Sequence, residues 1–184
     1  MKLDNIFSGK LFTVLFTTLI ITGCSTGGYK KPKPIDLVGI SQKAAVIMAE
    51  KAKNDLPAGA TILSTSLADI NQLSKTTPLG RVLGEQLSSG LSDIGYSLIE
   101  IKMRDSVFIS NHNGGEFSLS RNLDNLSKTY KADAIVTGTY AIGSHTVYIS
   151  ARMIDTSSKH VISTADFQIP LDSDIRVLTS NRRY

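Results

Sequence analysis

Between Ala134 and Ile169, three alternating apolar runs, Ala134 to Ala141, Thr146 to Asp155 and Val161 to Ile169, are separated only by Gly143-Ser144 and by Asp155 to Lys159. Period-two alternation reads as strand, and a parallel crossover needs a dozen residues or more, so connections this short require neighbouring antiparallel strands. A meander is therefore predicted over the C-terminal part of the chain. Gly138 falls inside the first of its strands, where glycine marks a bulge or a close backbone approach. Asp133, just ahead of that strand, reads as a carboxylate that satisfies turn amides.

Upstream, the period changes. Leu79, Val82, Leu83, Leu87, Leu91 and Ile94 make one apolar stripe of a helix, with Thr77 as N-cap, Pro78 at the first helical position and Gly95 as the C-terminal cap. Gly80, Gly84 and Ser88 recur at four-residue intervals on a second face of this helix. Each interior glycine costs about 1 kcal/mol relative to alanine in a helix, so a packing reason is expected: close contact with the domain's own sheet or with a neighbouring subunit.

An earlier helix is predicted from Ser41 to Asn54, with Ser41 as N-cap, followed by a short strand from Ala60 to Thr65 and a connecting loop from Leu67 to Thr77. Tyr96 to Ile101 reads as a further strand. Val107 to Ile109 and Glu116 to Leu119 flank the turn-forming run Ser110 to Gly115, in which Asn113-Gly114 is a strong hairpin signal, so a protruding contact loop is expected at Asn111, His112, Asn113, Gly114 and Gly115. A short helix over Arg121 to Tyr130 and a last one over Asp172 to Ser180 complete the reading. The predicted fold class is α+β: a single domain whose mixed, largely antiparallel sheet is packed by two or three helices.

The N-terminal part has a different character. Lys2 and Lys10 precede the apolar stretch Leu11 to Ile21, which ends in Ile21-Thr22-Gly23-Cys24. A cationic start, a short apolar core and small residues at its exit are features of a secretory signal, and the stretch is too short to cross about 30 Å of hydrocarbon as a helix. The closing quartet resembles the bacterial lipobox, in which the cysteine is acylated and becomes the new N-terminus. Cys24 is the one cysteine of the 184 residues, so an intrachain disulfide is excluded. The expected organisation is a lipoprotein signal peptide over residues 1–23, a lipidated tether over 24–36 and a folded domain over 37–184. Ser25, where an aspartate would signal inner-membrane retention, points to the outer membrane.

Little in the rest of the chain promises reaction chemistry. Residues 1–23 carry Lys2, Asp4 and Lys10, a net +1, so residues 24–184 hold +3 of the chain's +4. That mild excess is scattered, and with no tryptophan it does not suggest a nucleic-acid binder. Phosphate loops, dinucleotide fingerprints and metal-ligand spacings are lacking. His112, His145 and His160 fall in or beside predicted turns, where exposed histidine is ordinary. No enzyme activity, catalytic residue, cofactor or metal site is expected.

Three strings carry a resemblance: T-P-L-G-R-V-L-G-E-Q-L-S-S-G-L (Thr77 to Leu91), Y-K-A-D-A-I-V-T-G-T-Y (Tyr130 to Tyr140) and Y-I-S-A-R-M-I-D-T-S-S (Tyr148 to Ser158). Over roughly residues 60–170 the chain resembles the FlgO family of flagellar outer-membrane lipoproteins. That family domain is similar to the α/β domain of the curli secretion channel, of the amino-terminal part of TolB and of lipoprotein activators of peptidoglycan synthases. The resemblance implies a structural or assembly role at the flagellum, needed for motility. Expected partners are the outer membrane through the lipid on Cys24, other flagellar basal-body or outer-membrane proteins, and copies of the same chain. Regulation of an envelope machine, a peptidoglycan synthase or a secretion channel, is the alternative it leaves open.

Overall fold

In a computed structural model, which describes residues 34–101, 109–111, 117–119 and 121–180, the chain alternates helices with strands in its first half and ends in a run of strands. In order these are α1 (Leu37–Ala52), β1 (Thr61–Thr65), β2 (Ala68–Asp69), α2 (Pro78–Asp93), β3 (Ser97–Ile101), β4 (Ile109–Asn111), β5 (Phe117–Leu119), α3 (Arg121–Thr129), β6 (Ala134–Ile142), β7 (Thr146–Asp155), β8 (Val161–Pro170) and α4 (Ser173–Leu178). The main sheet has the order β3-β1-β6-β7-β8, with β2 also paired to β6. β3, β1 and β6 run parallel, as do β2 and β6; β6, β7 and β8 form the antiparallel meander. The domain is thus α+β with a mixed sheet.

β1 lies between β3 and β6, and the helices that follow β1 and β3 pack on opposite faces. On one face Leu79, Leu83, Leu87 and Leu91 of α2 join Ile62, Val136, Ala151 and Met153 in the large core, with Ala44, Ala45 and Met48 of α1 and Ile175 of α4. On the other, Leu63, Ala132 and Ile135 form a smaller cluster to which Leu126 of α3 adds. Ile62 and Leu63 are neighbours in sequence yet serve opposite layers, as the two-residue period of a strand requires.

α1 and α2 are closely packed through small residues. A Cβ on Gly90 would lie 2.7 Å from Ala45 Cβ, and Ser41 Oγ donates to Gln86 Oε1 (2.9 Å). α1 is fixed to β8 as well, since Ser163 Oγ donates to the Met48 carbonyl (2.8 Å).

Several expectations from the sequence shift. α1 begins four residues before Ser41, because Asp36 Oδ1 accepts from Gly39 N–H (2.9 Å) and caps the helix there, leaving the Ser41 hydroxyl to Gln86. The expected loop Leu67 to Thr77 contains β2, in register Ala68↔Thr139 and Asp69↔Tyr140. Ser110 and Asn111 are strand residues: they belong to β4, opposite Ser118 and Phe117. A two-strand ladder extends the hairpin inward from its turn, and His112, Asn113, Gly114 and Gly115 lie outside the described residues, as does Cys24.

Gly138 is a place of close approach. A Cβ there would lie 2.3 Å from the Ser150 carbonyl oxygen, while the register shift of the meander comes further along, between Met153 and Ile154. Asp133 does bind a neighbouring amide: Thr61 N–H donates to its Oδ2 (2.8 Å), tying the start of β6 to the start of β1. Gly95, with φ +108°, ends α2 in a conformation that favours glycine.

Candidate functional site

The first half of α2 is held unusually close to the end of β1 and the link that follows it. A Cβ on Gly80 would lie 2.3 Å from the Leu67 carbonyl oxygen, and one on Gly84 would lie 2.7 Å from that of Thr65. Leu67 N–H donates to the Gly80 carbonyl (2.9 Å), and Thr76 Oγ1 donates to the Leu67 carbonyl (2.6 Å). Backbone of helix and link are therefore bonded directly, an approach that any side chain at these positions would hold apart. The small face of α2 is directed at the domain's own β1–β2 link.

Two further bonds secure this contact. Ser88 Oγ donates to Ser64 Oγ (2.6 Å), with both residues buried. Thr77 is the N-cap of α2, but its side chain does not cap: Tyr140 donates its hydroxyl to Thr77 Oγ1 (2.9 Å). Burial of Tyr140 pushes its phenol above the usual tyrosine range, so this donor stays protonated.

A small cleft opens between these elements. Ser64, Thr65 and Ser66 at the carboxyl end of β1 form one side, and Glu100 and Ile101 at the end of β3 form another. Gly84 and Ser88 of α2 contribute buried surface, while Arg81 and Glu85 stand exposed on the same helix. The helix after β1, α2, lies on one face of the sheet, and α3, reached after β3, lies on the other.

Of the expected contact residues among those described, Gly84 lines the cleft, while Gly80 packs one turn earlier and Asn111 is in β4. Ser64, Thr65, Ser66, Arg81, Glu100 and Ile101 carried no motif, whereas Ser88 belongs to the four-residue spacing of small residues on α2. The signal that would have found them is the crossover itself, a strand, a helix and a parallel strand, once its place beside β6 is known. Among the described residues no group of three or more His, Cys, Asp or Glu is placed to hold a metal ion, and no helix is long and apolar enough to cross a membrane.

The family model described as FlgO protein matches residues 42–174, from α1 to α4. The chain belongs to the FlgO protein family. No curated protein matches the chain in sequence. Among solved structures, the FlgO-family domain is similar to the LpoB C-terminal domain from Salmonella enterica and to that from Escherichia coli. Each has a TM-score of 0.50 and 12% identity over 73% of this chain and 98% of the other. At that identity the likeness is one of fold.

Proposed function

We propose that this FlgO-family protein is a lipid-anchored component of the bacterial flagellum at the outer membrane, needed for motility and acting through protein contacts rather than catalysis. The observation that carries the reading is the family match over residues 42–174, joined to an N-terminal segment that ends in the lipobox-like Ile21-Thr22-Gly23-Cys24. Acylation at Cys24 would confine the domain to the membrane plane, where confinement raises effective concentration and weak contacts suffice. Each buried methylene contributes about 0.8 kcal/mol, so two or three acyl chains hold firmly where one would not. The run Ser25 to Pro34, which contains Pro32 and Pro34, would give the domain reach of up to about 3.3 to 3.6 Å per residue. Partners are then flagellar basal-body or outer-membrane proteins and copies of this chain, met on a periplasm-facing domain.

The test compares a Cys24→Ser variant with a clean deletion, scoring membrane fractionation and swimming. The variant is expected to leave the outer-membrane fraction, and both strains are expected to lose motility with cell shape unchanged. Retention of the unlipidated protein in the outer membrane, or normal swimming by both strains, would refute the reading.

A further inference from the structure

Helix α1 has two unlike faces. Ala44, Ala45, Met48, Ala49 and Ala52 are buried, and the approach of Gly90 to Ala45 and the bond from Ser163 to the Met48 carbonyl hold this side against α2 and β8. The opposite side carries Lys43, Val46, Ile47 and Glu50, all exposed, at the i, i+3, i+4 and i+7 spacing that makes one stripe of a helix. Val46 is 56% exposed and Ile47 48%, an adjacent aliphatic pair where a solvated helix face ordinarily carries polar residues.

A cation stands at one end of this stripe and an anion at the other. Lys51 is turned to the Thr164 carbonyl, and Glu50 pairs with Lys53 at the surface, where such a pair holds weakly. Lys43 has no ion-pair partner among the described residues. It lies three residues before Val46, and Glu50 lies three after Ile47. Reversed, the stripe is therefore its own complement: a two-fold axis between Val46 and Ile47 sets Lys43 against Glu50 of a second copy, twice, with the aliphatic residues meeting at the centre. A parallel contact would instead set lysine on lysine and glutamate on glutamate.

We propose that the outer stripe of α1 is a self-association surface, on which a second copy of this chain docks its own α1 antiparallel through an aliphatic centre and two Lys43–Glu50 pairs. The symmetry is that of an isologous dimer. A contact made by one helix pair is small and transient in free solution, and confinement to a membrane raises the effective concentration that holds it. The tethers allow it. Leu37 is nine to ten residues from the axis, so the two helix starts lie about 28 Å apart at about 1.5 Å per residue, a distance that residues 24–36 can span at about 3.3 Å each. The inference rests on the reading that copies of this chain are among its partners, and it names the surface they use.

The test is sedimentation equilibrium of the purified full-length protein in detergent, joined to carbodiimide cross-linking of a mixture of unlabelled and nitrogen-15-labelled chains. A monomer–dimer equilibrium is expected, with a Lys43–Glu50 cross-link that joins an unlabelled peptide to a labelled one. Lys43→Glu and Glu50→Lys should each weaken dimerisation about tenfold, since each turns two attractive pairs into repulsive ones. Mixed together, the two variants should dimerise with each other, and the double variant Lys43→Glu with Glu50→Lys should regain the parental affinity. Val46→Ser, which keeps every charge, should also weaken the dimer, and unchanged melting temperatures are the control for these exposed positions. No dimer at millimolar protein, dimers indifferent to charge reversal, a double variant as weak as the single ones, or isotope-mixed cross-links that lack the Lys43–Glu50 pair would each overturn the proposal. None of these readouts involves swimming or membrane fractionation, so the dimer and the flagellar reading fail separately.

Discussion

The two halves of the sheet meet at β6 and are stabilised in different ways. From β6 to β8 the strands are long, antiparallel and joined by tight turns, and their inner residues Val147, Ile149, Ala151, Met153 and Ala165 alternate into the large core. Their order would survive many substitutions that preserve the alternation. From β3 to β6 the strands are parallel and connected through helices, and the half is held by backbone contact between α2 and the β1–β2 link at Gly80 and Gly84. Pattern specifies most of the first half, with one close approach at Gly138; close fit of α2 specifies the second, and the cleft lies beside that contact.

This contrast can be broken at Gly84. Gly84→Ala would gain about 1 kcal/mol of helix propensity. It would also place a methyl group 2.7 Å from the Thr65 carbonyl oxygen, a backbone atom that cannot simply rotate away. Overpacking of this kind costs about 1–3 kcal/mol and rises when backbone must shift, so a net loss of about 2 kcal/mol is expected in urea unfolding. Gly90→Ala, which meets Ala45 Cβ at 2.7 Å and Gln42 Cα at 3.4 Å on α1, a helix that can shift outward as a unit, should lose less, about 1 kcal/mol or under. Equal losses at the two sites would contradict the distinction between a fixed strand link and a helix that can give way.

The buried hydroxyl pair Ser64 and Ser88 sharpens the same point. Ser88→Ala leaves Ser64, 3% exposed, without its 2.6 Å partner, and an unsatisfied buried hydroxyl costs about 1–3 kcal/mol. The double variant Ser64→Ala with Ser88→Ala removes both groups and is expected to recover at least half of that loss. A double-mutant cycle with additive losses would mean that the two hydroxyls act independently.

The difference between the halves also explains what the sequence revealed. The meander was legible because alternation and short turns are local, and the ends of α2 were legible from Pro78 and Gly95. Strand order was not, since Ile62↔Ala134 and Ile62↔Leu98 are pairings between distant residues that leave no trace in local periodicity. β2 spans two residues, too few to show a period. The cleft was hidden for a related reason: Ser64, Thr65 and Ser66 read as the polar end of a strand, and Glu100 as an ordinary exposed charge. Their common location depends on β1 lying between β3 and β6. Glycine spacing on α2 was the one part of the site that the sequence carried openly.

Acid should act on the meander half through its second turn. Asp155 Oδ1 accepts from the backbone N–H of Ser158 (2.6 Å) and Ser157 (3.1 Å) and from both hydroxyls, and these bonds, led by the Ser158 amide, lower its pKa to about 2. A folded pKa below the unfolded value of about 3.9 means that the stabilisation is fully present above pH 4 and fades as pH falls toward 2. Asp155→Asn should therefore be less stable than the parent at neutral pH, and the gap should narrow between pH 4 and pH 2. A gap constant across that window would show that the carboxylate charge is not what the turn uses.

The smallest expected effect is a gain. Lys131, in the link between α3 and β6, has φ +50°, and Lys159, in the β7–β8 turn, has φ +63°. Left-handed backbone costs a side chain about 1 kcal/mol relative to glycine, so Lys131→Gly is expected to stabilise the protein by up to that amount, less the greater entropy of the unfolded glycine chain. The same change at Lys159 also removes its ion pair with Asp124, whose carboxyl is held below the usual range by Lys128 and by Lys159 itself. Lys159→Gly should therefore gain less than Lys131→Gly. The two melting temperatures, taken together at low and high salt, separate backbone strain from charge: added salt should bring the variants together if the Asp124 pair is the difference, and leave them apart if the turns themselves differ in strain.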